Sequence, residues 1–263
     1  LQQTNTTHPE PPAFEWLPHV DSTNSEALRR ARQGRIEDAL VLATDDQTAG
    51  RGRRGRAWTS RVGHSLCLSY IFRMDGLSGR PAPSVVCGWA LAEALNARAW
   101  PVRLKWPNDL LAQGRKLGGL LCESHAVANT RWLVVGLGLN LRQWRSVDLD
   151  AALGGIGAVA LEQMGTTDAP HPIDPLELAR YLGGSLHTAM TAWGQHSLPT
   201  NWWRQARRFD AWRGQAVALQ DEGQWRQAGR ALGVDAAGRY RLATAAGLVT
   251  VDAGDLSLRQ IAS

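Results

Sequence analysis

The sequence predicts an α+β chain in two parts: a mixed β-sheet flanked by helices over residues 16–212, then a small β-barrel over 213–263. Three observations predict it. Apolar runs of strand length at 39–44, 65–73, 117–124 and 131–141 are interspersed with helix-like stretches at 20–33, 83–99 and 175–193. From Gly214 the pattern changes to short strands at 216–220, 225–234, 240–244, 248–251 and 256–258, separated by turn residues such as those at 221–223 and 235–238. Several short strands with close turn signals are the pattern of a small barrel. The length of 263 residues also suits one large domain plus a small one.

Taken in order, residues 1–15 are polar and proline-rich at the start and read as a flexible leader. The helix at 20–33 opens on Thr23 and Glu26, a capping-box spacing. The strand at 39–44 leads to a glycine–arginine loop at 47–58, and 65–73 alternates like a strand. The helix at 83–99 is apolar throughout. A short strand at 102–106 is stopped by Pro107, Asn108 and Asp109, a turn signal. A second turn at 113–115 precedes the strands at 117–124 and 131–141. Residues 142–174, rich in Ala, Gly and Pro, should hold loops and a short helix near 158–164, with further helices at 175–193 and 201–212.

Composition narrows the class. Hydrophobic content of 44% and charged content of 20% are ordinary for a soluble globular protein. No apolar run of about 18 residues exists, so no membrane helix is expected. The N-terminus lacks the parts of a signal peptide. Cys67, Cys87 and Cys122 lie in apolar runs, which predicts buried free thiols in a reducing, cytoplasmic setting. The net charge of +5 permits an anionic ligand or partner. Of 29 basic residues only Lys105 and Lys116 are lysines. Where a chain this rich in arginine keeps a compact ammonium, a point charge is expected to matter.

Residues 50–56, Gly-Arg-Gly-Arg-Arg-Gly-Arg, put four positive charges in seven residues. Three glycines argue against a stable helix or strand. The arginines sit within a Debye length, about 8–10 Å, and repel one another without an anion. The loop should be mobile when empty and order around phosphate or carboxylate oxygens, which arginine forks match. Gly50, Gly52 and Gly55 imitate a dinucleotide fingerprint, but no helix period follows. A P-loop would need Lys-Ser/Thr where Arg56-Ala57 stand. A nucleic-acid loop remains open, against which Asp45 and Asp46 argue. Lys116 precedes Gly118 and Gly119, where a ligand can approach backbone closely. Gly136 and Gly138, in the strand ending at Asn140, read as a floor for a flat ligand.

Five segments resemble biotin–protein ligases of the bacterial type: 21–24 (Asp-Ser-Thr-Asn), 47–58, 105–109 (Lys-Trp-Pro-Asn-Asp), 116–119 and 136–140. Residues 254–259 resemble the end of that family's small domain. The resemblance spans about 16–259 and implies a sheet related to class II tRNA synthetases, followed by an SH3-like barrel. It implies activation of biotin by ATP to biotinyl-5'-AMP, then transfer to a lysine of a biotin carboxyl carrier domain of a biotin-dependent carboxylase. Lys116 and Arg53 are the implied catalytic residues. Ser22, Thr23, Asn24, Gln47, Gly50, Arg51, Gly52, Arg53, Trp58, Lys116, Gly119 and Gly136 are implied for biotin. Arg53, Arg54, Arg56, Trp106, Asn108, Asn140 and Arg259 are implied for the nucleotide. Magnesium is expected with the triphosphate, without a protein metal site. The expected partners include neither membrane nor DNA, and with about 20 residues before Asp21 no repressor role is expected. A monomer or homodimer is expected. A lipoate ligase shares the fold and adenylation chemistry and is the nearest enzyme alternative.

Overall fold

The computed structural model describes residues 11–74, 79–144, 156–165, 172–221, 224–253 and 257–260. A seven-stranded sheet forms the first layer. Its strands are β1 (Ala13–Trp16), β2 (Ala39–Thr44), β5 (Ser65–Met74), β6 (Arg103–Lys105), β7 (Asp109–Ala112), β8 (Arg115–Val127) and β9 (Thr130–Asn140), in the order β1-β2-β5-β9-β8-β7-β6. Only β1 and β2 pair in parallel; the remaining pairs are antiparallel, so the sheet is mixed as expected. The expected leader thus runs into a strand at Ala13. β7 was not foreseen as a strand. It turns into β8 through Gln113 and Gly114, whose φ of 51° and 73° fit the tight hairpin turn that needs two left-handed residues.

Side chains alternate across a strand, so each face of the sheet has its own core. On one face Val41, Leu68, Tyr70 and Val135 pack with α2 (Pro83–Ala97) and α3 (Pro175–Gly194). α2 is apolar all round because it is covered on both sides; Gly88 lets Leu104 close on it. Asp174 caps α3 by accepting from Leu176 N and Glu177 N. On the other face Leu42, Ile71 and Val134 pack with Ala27 and Ala31 of α1 (Thr23–Arg32). That second face, beyond the end of α1, carries the cleft described below.

The second sheet has five antiparallel strands, β10 (Ala216–Asp221), β11 (Gln224–Val234), β12 (Tyr240–Thr244), β13 (Gly247–Val251) and β14 (Ser257–Gln260), in the order β13-β12-β11-β10-β14. It fits the expected SH3-like domain. It packs onto the first layer, with the Trp106 and Tyr240 rings 5.4 Å apart.

Three expectations are corrected. The helix expected at 201–212 is only α4 (Trp202–Ala206). Beyond it, Leu104 N donates to Phe209 O and Ala211 N to Leu104 O, because β6 is an edge strand with open backbone groups. The helix expected at 158–164 shrinks to a 3-10 turn at Leu161–Met164. Ala158 bridges to Lys116 instead. The arginine–glycine loop folds as a small hairpin, β3 (Gly50–Arg51) and β4 (Ala57–Trp58), around a 3-10 turn at Arg53–Gly55. Arg54 and Gly55 carry the left-handed turn, with φ of 58° and 69°.

Candidate functional site

The N-terminus of α1 is capped by Ser22, whose Oγ accepts from Ser25 N at 3.4 Å. The capping box expected at Thr23 and Glu26 is therefore corrected: Glu26 instead binds Arg29 and Arg30 at 2.8 Å. That shift releases Thr23 for tertiary work. Gln47 Oε1 accepts from Thr23 N at 2.9 Å, and Ser69 Oγ lies 2.7 Å from Thr23 Oγ1 and 2.5 Å from Asn24 Oδ1. Asn24 Nδ2 donates to Glu123 Oε2 at 2.8 Å. A hydroxyl, amide and carboxylate network thus closes one end of a cleft, with Ser22, Thr23, Asn24 and Ser69 all buried.

The cleft runs along β9. A Cβ on Gly136 would stand 2.3 Å from Asn24 Oδ1, and one on Gly138 would stand 2.2 Å from the Trp58 ring. Both glycines are needed for close approach: of a polar amide at one position and of an indole at the next. Asn140 follows, its Nδ2 donating to Val159 O at 3.1 Å. Residues two apart on a strand lie roughly 7 Å apart on one face, so the floor is about 14 Å long from Gly136 to Asn140.

The far end is cationic. Asp109 holds both lysines of the chain, Lys105 Nζ at 2.8 Å and Lys116 Nζ at 2.8 Å. Burial opposes the ionised form of Asp109, but Lys116 and Lys105 outweigh it and hold its pKa well below the usual carboxylate range. Burial lowers the pKa of Lys105, against the opposing pull of Asp109. Lys116 reaches the cleft wall, 6.0 Å from the centre of the Trp58 ring, while Gly119 leaves room beside its Nζ. Above it stands the arginine hairpin. Arg53 Nη1 donates to Asn108 Oδ1 at 2.8 Å, and Arg51 Nη2 meets Glu123 Oε2 at 3.0 Å. Gly52, Arg56 and Trp58 complete that side, and the space reaches about 1030 Å³ when counted to its open mouth.

Fourteen of the expected residues are brought together here: Ser22, Thr23, Asn24, Gln47, Arg51, Gly52, Arg53, Arg56, Trp58, Asn108, Lys116, Gly119, Gly136 and Asn140. Four are not among the lining residues. Gly50 lies behind the wall, where a Cβ would strike Gln47 and Trp58 O at 2.4 Å. Arg54 is on the exposed hairpin tip. Trp106 is corrected from ligand contact to core: it is 2% exposed, and its Nε1 donates to Gly238 O at 3.4 Å. Arg259 donates to Gln220 Oε1 at 3.1 Å, although its charge still reaches Lys105. Sequence reasoning missed Ser69 and Glu123. A hydroxyl in the middle of an apolar strand was the available signal for Ser69; Glu123 gave none.

This is an α+β domain whose cleft has the shape and charge to suit a molecule polar at one end, flat or apolar along its length and anionic at the other. Residues 16–140 match the model of the biotin/lipoate A/B protein ligase family. Over 185 residues it is 35% identical to the bifunctional ligase/repressor BirA of Escherichia coli, covering 69% of this chain and 54% of that protein. It is 37% identical over 142 residues to the biotin–[acetyl-CoA-carboxylase] ligase of Mycobacterium tuberculosis, covering 49% of this chain and 50% of that one. The chain therefore spans about half the length of these curated relatives. The structure of the biotin protein ligase from Aquifex aeolicus with biotin and ATP superposes with a TM-score of 0.75 at 25% identity, covering 95% of this chain and 99% of that one.

Proposed function

We propose that this protein is a biotin–protein ligase that makes biotinyl-5'-AMP from biotin and ATP, then transfers biotin to a lysine of a carrier domain. One observation carries the reading: a polar blind end and a cationic end lie at opposite ends of one glycine-floored cleft. A ureido ring needs donors and acceptors, because a buried polar head without partners is costly. Ser22, Thr23, Asn24 and Gln47 supply them, with Ser69 fixing their orientation. Trp58 and the Gly136–Gly138 floor suit the thiophane ring and chain. The carboxylate then falls beside Lys116.

Adenylation brings a carboxylate against the α-phosphorus of ATP, so two anions must be held together and in line. Lys116 and the Arg51, Arg53 and Arg56 guanidinium groups offset that repulsion. Asn108 and Asn140 shape the nucleotide side. As pyrophosphate leaves, the ammonium of Lys116 can follow charge from the carboxylate to the phosphate oxygens; Asp109 keeps it aimed. The acceptor lysine then attacks the acyl carbon and AMP leaves. The hairpin excludes water from the mixed anhydride until then. Magnesium is expected to arrive with the triphosphate, held by its oxygens and water. Among the described residues no group of three or more His, Cys, Asp or Glu converges on a metal position, and the nearby carboxylates Asp109 and Glu123 are engaged by cations.

Residues 16–212 would form the catalytic part and 213–263 the barrel. Free Cys67, Cys87 and Cys122 suit a reducing compartment, and no described helix is long and apolar enough to cross a membrane. The deciding experiment is pyrophosphate exchange into ATP with biotin, lipoate or octanoate, with Lys116→Ala as control. Biotin-dependent exchange, lost in the variant, is expected. Exchange with lipoate alone moves the reading to the sister activity, and none with any acid overturns it.

A further inference from the structure

Outside the cleft, Arg207, Arg213, Arg230 and Arg241 converge on a second concavity, lined also by Gly214 and Leu232. They come from separate segments: the residue after α4, the connection into the barrel sheet, β11 and β12. The two concavities share no lining residue. On the side shared with Arg207 and Arg213 the surface continues with Arg103 and Arg208, and with the carboxylate of Asp210.

Two of the four are held in place by neutral groups. Arg207 Nε donates to Val234 O at 2.7 Å, and its guanidinium lies 4.3 Å from the centre of the Trp203 ring. Arg230 Nε donates to Gly214 O at 3.1 Å. Carbonyls and an indole fix direction but remove no charge. The carboxylates close enough to act on Arg207 are Asp210 and Asp235, and both are otherwise engaged. Tyr240 Oη and Trp212 N each donate to Asp210 at 2.9 Å, while Arg239 grips Asp235 at 2.8 and 2.9 Å. Among the described residues none of the four arginines makes an ion pair with a carboxylate. Burial first, then the charges of Arg241 and Arg213, lower the pKa of Arg207.

An independent observation points to a missing acceptor. Arg207 Nη2 and Arg241 Nε are buried without a hydrogen-bond partner. Buried N–H groups in native proteins are nearly always satisfied, so an orphaned pair in one like-charged cluster calls for an anion. We propose that this cluster is a binding site for a polyvalent oxyanion of phosphate type, distinct from the cleft under the hairpin. Such an anion offers several acceptor oxygens in the geometry that guanidinium forks match. It also removes the mutual repulsion, so it stabilises the packing of the barrel sheet against α4. Free phosphate or pyrophosphate and the tail of a nucleotide share this chemistry.

The test is calorimetric titration of the full chain with phosphate, pyrophosphate and ATP, paired with thermal unfolding. Three proteins are compared: the wild type, Arg213→Gln/Arg241→Gln, and Arg53→Ala, which perturbs only the hairpin cleft. Pyrophosphate is expected to bind the double variant at this cluster at least tenfold more weakly, with Arg53→Ala unchanged there. Without added anion the double variant should melt above the wild type, because like charges have been removed, and pyrophosphate should raise Tm only where the cluster is intact. ATP binding at the cluster with similar affinity assigns the nucleotide tail, and binding of the inorganic ions alone assigns the free ion. Equal pyrophosphate affinity in the double variant and the wild type overturns the proposal. So does a cluster that takes none of the three anions.

Discussion

Asp109→Ala tests how the two lysines are held. Lys105 is 5% exposed and Lys116 16%, and the same carboxylate, itself 14% exposed, contacts each at 2.8 Å. Truncating one partner of a buried pair leaves an uncompensated charge, which costs about 3–5 kcal/mol. For a chain of this size about 1 kcal/mol moves Tm by roughly 2–4 °C, so a drop of roughly 10 °C is expected. The sign of the pH dependence follows from the shifts. Asp109 is held below its unfolded value, so its contribution is present above about pH 4 and is lost as pH falls toward the folded value. Lys105 is also lowered, by burial against the pull of Asp109. Without Asp109 it falls further, so the folded variant binds fewer protons than the unfolded chain up to about pH 10.4, and its stability should climb with pH across that window. Urea unfolding from pH 2 to 10 reads both effects. A companion variant, Asp109→Leu with Lys105→Met, replaces the pair by apolar volume and should recover most of the stability while pyrophosphate exchange stays low, because Lys116 has lost its anchor. A loss under about 1 kcal/mol, or a deficit that does not shrink with pH, would refute this account.

Three further outcomes are expected. Gly138→Ala places a Cβ 2.2 Å from the Trp58 ring, so the indole must leave the floor; KM for biotin should rise at least tenfold with Tm changed little, and an unchanged KM would remove Trp58 from the site. Arg53→Gly loses the 2.8 Å hydrogen bond to Asn108 and the hairpin's hold on that side, so biotinyl-adenylate should escape and label bystander lysines; tight retention would count against the hairpin as a lid. Burial pushes the Cys67 thiol up to about 12, so at pH 8 iodoacetamide should leave it untouched in the folded protein and modify it after unfolding; prompt labelling in the native state would contradict its burial.

Much of the site could be read locally. The arginine hairpin and Lys116 stand out in composition, the resemblance added Thr23 and Gln47, and the cleft gathers them. Gly136 was read as part of a floor and Asn24 came only from a resemblance, yet a single contact explains both: the amide occupies the space a Cβ would fill. Ser69 and Glu123 went unread because their partners are remote: Ser69 meets Thr23 across 46 residues and Glu123 meets Asn24 across 99. Trp106 misled for the opposite reason. The resemblance implied nucleotide contact, but Gly238 and Tyr240 of the barrel cover it.

By itself the sequence determined the periodicities, and through them the two sheets, α1, α2 and α3, because burial of an apolar stripe or alternating face is encoded in neighbouring residues. It also determined the charge of the hairpin and the scarcity of lysine. Tertiary structure alone decided that Ser22 rather than Thr23 caps α1, that residues 209–211 pair with β6 instead of extending a helix, and that one carboxylate, Asp109, holds both lysines. Those outcomes depend on which backbone and side-chain groups remain open after the sheet has formed. That competition is between segments far apart in the chain, and no local pattern records it.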